Sequence, residues 1–261
     1  MRFGVCTGIE NAPLLKEAGY DYFECAFSKL GEMESADFTA FTREVERLNF
    51  FPEVMNLMLP HTFRLTGDSA DLSAVKPFLL AAFKRARAVG TKTVVFGSGG
   101  ARNMPGGFTD RGRAYAQLAE YLSMAGEIAG TYGIDIAIEP LRFAESNIVN
   151  LYVEGVYLAA RVNLPRVKCL ADFYHMAMNG EDMEGIAKLG DRLAHCHIAC
   201  AQGRSFPLPD DGHDYSAFFG ALKAAGYSAR VSIEGSPENG LEADAPKALE
   251  SLRSYVNAKE G

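Results

Sequence analysis

The chain has 261 residues, 48% of them hydrophobic and 23% charged, an ordinary balance for a folded globular protein. Its formal net charge of −7 argues against a nucleic-acid or anionic-membrane surface, which requires a basic face. No stretch approaches the roughly 20 apolar residues of a membrane span, and the first segment, MRFGVCTGIENAPLLKEAG, lacks an apolar run of signal-peptide length, so a cytoplasmic protein with no membrane partner is expected.

In chain order, strand signals fall on RFGVC (2–6), YFECA (22–26), FFPEVMN (50–56), KTVVFG (92–97), IDIAIE (134–139), VKCLAD (167–172), LAHCHIA (193–199) and RVSIE (230–234). Amphipathic segments lie between them. SAVKPFLLAAFKRARAVG (73–90) has an apolar stripe, basic residues near its end and a closing glycine, and DRGRAYAQLAEYLSMAGEIAGTYG (110–133) behaves the same way. HDYSAFFGALKAAGY (213–227) offers Asp214 as an N-cap and Gly226 as a stop. This alternation predicts a parallel sheet covered by helices. Eight such units at about 250 residues predict a closed α/β structure, a single (β/α)8 TIM barrel spanning residues 1–261 as one domain. A doubly wound open sheet is the competing architecture. It would bind a nucleotide through a glycine-rich turn after the first strand, where this chain has CTGIENAP; FGSGG (96–100) follows the fourth strand and lacks the full spacing. Cys6, Cys25, Cys169, Cys196 and Cys200 are odd in number and mostly sit in apolar runs, so they read as buried free thiols of a reducing compartment. A zinc site on Cys196 and Cys200 would lack a second cysteine pair.

Chemistry in such a barrel gathers at the C-terminal ends of the strands. There the second half of the chain places Glu139, Asp172, His197 and Glu234, at separations of 33, 25 and 37 residues. Those separations bracket the roughly 31-residue unit of an eight-unit barrel, so the four side chains should converge. A single carboxylate at a strand end is usually a turn former or a helix cap. Four metal-capable side chains at equivalent strand ends are not explained that way, and Glu139 and Glu234 follow β-branched core sequence, where a charge is costly unless it is paired or ligates a cation. Three carboxylates and one imidazole make a hard, oxygen-rich set suited to one divalent metal ion, Mn²⁺, Mg²⁺ or Co²⁺, with zinc a poorer fit. His195 shares a strand face with His197 one pleat deeper, and is expected to orient a ligand or fill the barrel.

The segments AIEPLRFAESN, LADFYHM, LAHCHIACAQGR and SIEGSP resemble the four metal-ligand motifs of the xylose-isomerase-like barrels, most closely the ketose 3-epimerases of the tagatose/psicose type. The likeness covers the second half of the chain motif by motif and the first half in general plan. It implies that Glu139, Asp172, His197 and Glu234 hold the metal, that Glu139 and Glu234 also exchange the substrate proton, and that Glu145, His175 and Arg204 contact substrate. The chain departs from that pattern in having no tryptophan. Phe108, Phe143, Phe173, Tyr174 or Phe206 would have to supply any stacking surface.

The implied reaction moves a proton next to a sugar carbonyl through an enediolate stabilised by the cation, with one carboxylate on each face of the carbon. The expected protein is therefore a metal-dependent epimerase or isomerase of a free ketose or related sugar, with homodimer and homotetramer both open. The same groups could run a dehydratase of a keto-cyclitol or keto-sugar. An abasic-site endonuclease would need a histidine-rich metal cluster and a basic DNA track, which five histidines and the negative charge oppose. The acidic loops after the last two strands, with Arg204 the single arginine there, predict an unphosphorylated substrate unless Arg102 or Arg142 reaches a phosphate.

Overall fold

A computed structural model describes residues 1–257. Strands β1 (Arg2–Cys6), β2 (Tyr22–Ala26), β3 (Val54–Asn56), β4 (Thr93–Phe96), β5 (Asp135–Ile138), β6 (Val167–Asp172), β7 (Leu193–Ile198) and β8 (Arg230–Ile233) pair in parallel and in sequence order. β8 pairs back onto β1 and closes the barrel. The strands lie where the apolar runs place them, with shorter ends. The largest difference is β3, which was expected to start at residue 50. Pro52 has no N–H to give a ladder; its carbonyl accepts instead from Thr91 Oγ1 at 2.9 Å. Phe50 stacks on Phe23 with ring centroids 5.9 Å apart.

Side-chain alternation sorts each strand into an outward and an inward set. Phe23, Cys196, Ile198, Val231 and Ile233 face outward into the packing beneath the helices, as do Ile136 and Ile138 around the other half of the barrel. Tyr22, Val54, Val95, Ala137 and Leu170 fill the interior. A Cβ at Gly4 would lie 2.3 Å from the Tyr22 ring, so a glycine is needed there for the tyrosine to cross the barrel. By the same period, Glu24, His195 and His197 project inward above this layer.

The helices Val75–Ala88 and Arg111–Thr131 match the two long amphipathic segments. Asp110 caps the second, accepting from the Arg113 N–H at 2.9 Å. The third expected helix is shorter, Ser216–Ala224, and its N-cap is Tyr215 rather than Asp214. Asp214 accepts from the Ser216 N–H at 2.8 Å, the short-range turn that aspartate makes just outside a helix. Gly226 follows the helix with φ of 68°, a left-handed conformation glycine adopts without strain. All five cysteines are free, but Cys6 and Cys25 are only partly buried, because both lie at the open end of the barrel near the loops. Among the described residues, no helix is long and apolar enough to cross a membrane.

Candidate functional site

The register between β6 and β7 sets Asp172 directly beside His197. Glu139 and Glu234 lie one residue beyond β5 and β8, rather than inside them as the sequence pattern suggested. Their N–H groups still donate to the neighbouring strands, Glu139 to the Phe96 carbonyl at 3.2 Å and Glu234 to the Ile198 carbonyl at 3.0 Å. Both glutamates are thereby held in line with the barrel wall. One ligand atom from each of Glu139, Asp172, His197 and Glu234 lies within 4.8 Å of the others. His197 Nδ1 is at the centre of the group, 3.0 Å from Glu139 Oε1, 3.5 Å from Glu234 Oε2 and 3.8 Å from Asp172 Oδ2. Gly97, at the end of β4, makes room for this arrangement: a Cβ there would come within 2.0 Å of Glu139 Oε2.

The donor set fits a divalent cation. Two ligand atoms on one ion at about 2.0–2.2 Å each stand no more than about 4.4 Å apart, so a small contraction of this cluster would satisfy the requirement. The electrostatics point the same way. Burial and the charge of Glu234 push the Glu139 carboxyl up, and burial raises Asp172 to about 6. Burial would also raise Glu234, but His197 and Arg204 outweigh it and hold that carboxyl at about 2. Three carboxylates so crowded, two of them buried and Glu234 partly so, need positive charge among them.

Glu24 was not singled out from the sequence. It is fully buried on β2 and bridges both histidines of the H-x-H pair: His197 Nε2 lies 2.9 Å from one carboxylate oxygen and His195 Nε2 lies 3.0 Å from the other. A carboxylate only accepts, so both histidines place a proton on Nε2. Burial opposes a charge on His197, but Glu24 and Glu234 outweigh it and raise its pKa. Nδ1 therefore also donates, to Glu139 Oε1 at 3.0 Å, and a bound cation would replace that proton. Ser232 Oγ sits 3.2 Å from His195 Nε2 and 2.9 Å from the Tyr22 hydroxyl, which extends the network across the barrel. His195 therefore acts on the site through Glu24. The cost of a charge inside an apolar strand, already applied to Glu139 and Glu234, would also have flagged the glutamate of YFECA. Glu24→Gln offers one acceptor where two are needed, and is expected to weaken divalent-metal affinity by about 10–100-fold. Calorimetric titration of the folded variant checks this; unchanged affinity would deny Glu24 that role.

Of the other three expected site residues, Glu145 and Arg204 line the pocket and His175 is buried beside Asp172. His175 Nδ1 accepts from the Arg142 N–H at 3.2 Å, which leaves its proton on Nε2. That Nε2 is buried with no hydrogen-bond partner, 3.9 Å from Asp172 Oδ2, and burial holds the imidazole neutral. It is a buried N–H donor without an acceptor. Glu145 accepts from Arg142 Nε at 2.6 Å and pairs with Arg204 Nη1 at 3.5 Å. Arg204 also hydrogen-bonds the Glu234 carboxylate, and its own φ is 50°. The Ser236 N–H donates to the Arg204 carbonyl at 2.9 Å, tying the loop after β7 to the loop after β8. Tyr174 carries both guanidinium groups on its ring, Arg142 at 5.3 Å and Arg204 at 4.8 Å from the centroid. Of the aromatic candidates, Phe173 and Phe206 are buried in the core. Phe108 packs against Arg113, and Phe143 is exposed.

A family model described as xylose isomerase-like TIM barrel matches residues 12–255. An L-ribulose 3-epimerase of Methylomonas sp. (strain DH-1) is 31% identical over 122 residues, which is 46% of this chain and 40% of that protein. The matched segment thus spans well under half of that relative. A crystal structure of D-psicose 3-epimerase with D-tagatose, from Clostridium cellulolyticum H10, superimposes with a TM-score of 0.84 at 18% identity and covers 99% of this chain and 100% of that one. A crystal structure of IOLI protein with a bound zinc atom has a TM-score of 0.79 at 19% identity, covering 98% of both chains. At such identities these two likenesses concern the fold.

Proposed function

We propose that this chain, which belongs to the xylose isomerase-like TIM barrel family, is a divalent-metal-dependent epimerase that inverts a carbon next to the carbonyl of a ketose. The observation that carries the reading is the convergence of two carboxylates, from strands separated by two others, on one point in a pocket of about 780 Å³. The relative named for a 3-epimerase activity supports it. Glu139, Asp172, His197 and Glu234 would hold the cation, which supplies Lewis-acid polarisation of the substrate carbonyl when bound.

The protein groups do the rest. A carbon that loses its proton beside a carbonyl becomes planar, so inversion needs one group to remove the proton from one face and another to deliver a proton to the opposite face. Glu139 and Glu234, which follow strands separated by two others, take those roles. His175 Nε2–H donates to a substrate oxygen at the wall. Arg204, fixed by Glu145 and Glu234, keeps the second acid/base carboxylate in place and presents its remaining N–H groups to substrate hydroxyls.

The test is a panel of free ketoses and inososes with the metal-reconstituted protein in heavy water. An epimeric product with one deuterium at the inverted carbon is the expected result. Loss of water would assign a dehydratase instead, and inversion without deuterium would assign hydride transfer.

The arginines bear on phosphate. Arg102 is fully buried and donates to the carbonyls of Phe96, Glu139 and Val149 at 3.1, 2.7 and 3.2 Å. It braces the β4 and β5 loops and has no reach to ligand. Arg142 and Arg204 are engaged by Glu145 and Glu234. A dianionic phosphate would have to break those pairs among carboxylates that repel it. We therefore expect kcat/KM for a free ketose to exceed that for its terminal phosphate; the reverse preference would release Arg142 and Arg204 for phosphate binding.

A further inference from the structure

A second cluster of metal-ligating side chains lies on the long loop between β7 and the helix Ser216–Ala224. One ligand atom from each of Cys200, Asp211 and His213 falls within 4.8 Å of the others, with Cys200 buried and the other two half-buried. Cys200 Sγ is 3.3 Å and Asp211 Oδ1 3.9 Å from His213 Nδ1. The Asp211 carbonyl is 3.2 Å from the same nitrogen. A single N–H proton cannot serve three acceptors. A cation held between thiolate, imidazole and carboxylate would use all three side chains.

The chain folds back on itself to bring these groups together. Cys200 stands just beyond the end of β7. Gly212, with φ of 79°, lets Asp211 and His213 share one tight turn. The His213 N–H donates to Asp211 Oδ1 at 2.8 Å and the Tyr215 hydroxyl donates to Oδ2. The carboxylate is thus oriented from two sides, as the outer partners of metal ligands orient them. Cys196, which a cysteine pair with Cys200 would have used, faces outward into the core. Imidazole and carboxylate take its place. Cys200 and Asp211 also line a cavity of about 530 Å³ beside the reaction pocket, which leaves room for a further ligand.

We propose that Cys200, Asp211 and His213 form a second metal site, distinct from the carboxylate cluster and selective for zinc and other thiophilic divalent ions. Zinc bonds of about 2.3 Å to sulfur and about 2.0–2.2 Å to nitrogen and oxygen set tetrahedral ligands roughly 3.3–3.6 Å apart. The separations of 3.3 and 3.9 Å lie close to that span. Thiolate and imidazole select zinc over manganese and magnesium, the opposite preference to the oxygen-rich carboxylate cluster. The Cys200 thiol gives up its proton as the ion binds. Cys200 and His213 bracket the segment that carries Arg204, so an ion between them clasps that loop at both ends. The Cys200 N–H, which donates to the Ser205 carbonyl at 2.9 Å, closes part of it already.

The test loads metal-free protein with Zn²⁺ or with Mn²⁺, removes unbound ion and measures metal per chain. Zinc is expected to reach one equivalent more than manganese, which reports the carboxylate cluster alone. Cys200→Ser should lose the extra zinc and keep its manganese, the latter showing an intact fold. His213→Gln should do the same, and decides the matter if Cys200→Ser fails to fold. Loaded with Co²⁺, the native protein and Asp172→Asn should show the near-ultraviolet absorption of a thiolate–cobalt bond, and Cys200→Ser should lack it. Zinc should also slow amide hydrogen exchange across residues 200–213 in the native protein and not in Cys200→Ser. Equal zinc and manganese stoichiometry, an extra zinc equivalent that survives both substitutions, or a cobalt absorption that survives Cys200→Ser would overturn the site. Hydrogen exchange unmoved by zinc would overturn the clasp.

Discussion

Replacing Glu139 or Glu234 with glutamine is expected to lower kcat by about 10²–10⁴-fold while substrate still binds. The amide keeps an oxygen for the cation and nearly the same volume, but it can neither take nor return a proton. The two variants should also fail differently. With Glu139 altered, Glu234 still reaches one face of the carbon, so one epimer should exchange its proton with solvent and keep its configuration. With Glu234 altered, the other epimer should do so. Single-turnover deuterium exchange from each epimer, with metal content and substrate affinity measured on the same samples, distinguishes the outcomes. Undiminished epimerisation by either variant would remove that carboxylate from the proton path. Loss of metal from either would mean that its role as ligand dominates.

Asp172→Ala is expected to abolish stoichiometric divalent-metal binding. Asp172 contributes one of three carboxylates to the cluster and lies beside His197 in the barrel register. It has a second duty: Oδ1 accepts from the His175 N–H at 3.0 Å and caps the helix Phe173–Asn179. Loss of a cap costs about 1 kcal/mol, a shift in Tm of about 2–4 °C for a chain of this size. Asp172→Asn keeps an acceptor for the cap and removes the charge. Elemental analysis and thermal melts on both variants should show metal lost in each and the Tm of the metal-free protein lowered only in the alanine variant. Full occupancy in Asp172→Ala would exclude Asp172 as a ligand.

Much of the barrel was legible because parallel strands buried on both faces read as short, nearly continuous apolar runs. LAHCHIA and VKCLAD became β7 and β6 almost to the residue. The errors lie at ends, where competing local chemistry decides. Pro52 cut short the third strand because it has no N–H for the ladder. Asp214 gave its carboxylate to a turn one residue outside the helix it was expected to cap. The four-residue cluster was legible because barrel units repeat, so equal spacing in sequence becomes one ring in space. Glu145, His175 and Arg204 were placed through resemblance; in the structure Glu145 and Arg204 line the pocket, while His175 is buried beside Asp172.

The linear sequence by itself determined the alternation of strands and helices, and with it which side chains of a strand share a face, because a strand has a two-residue period. It could not determine which distant inward side chains meet. Glu24 and His197 are 173 residues apart, and only closure of β1 onto β8 turns β2 across the interior toward β7. Likewise, Arg102 became a brace instead of a ligand contact because its guanidinium found three carbonyls in the packed loops after β4 and β5. Hydrogen-bond partners of a buried charge are chosen by the three-dimensional supply of acceptors, which burial makes obligatory and chain order does not reveal.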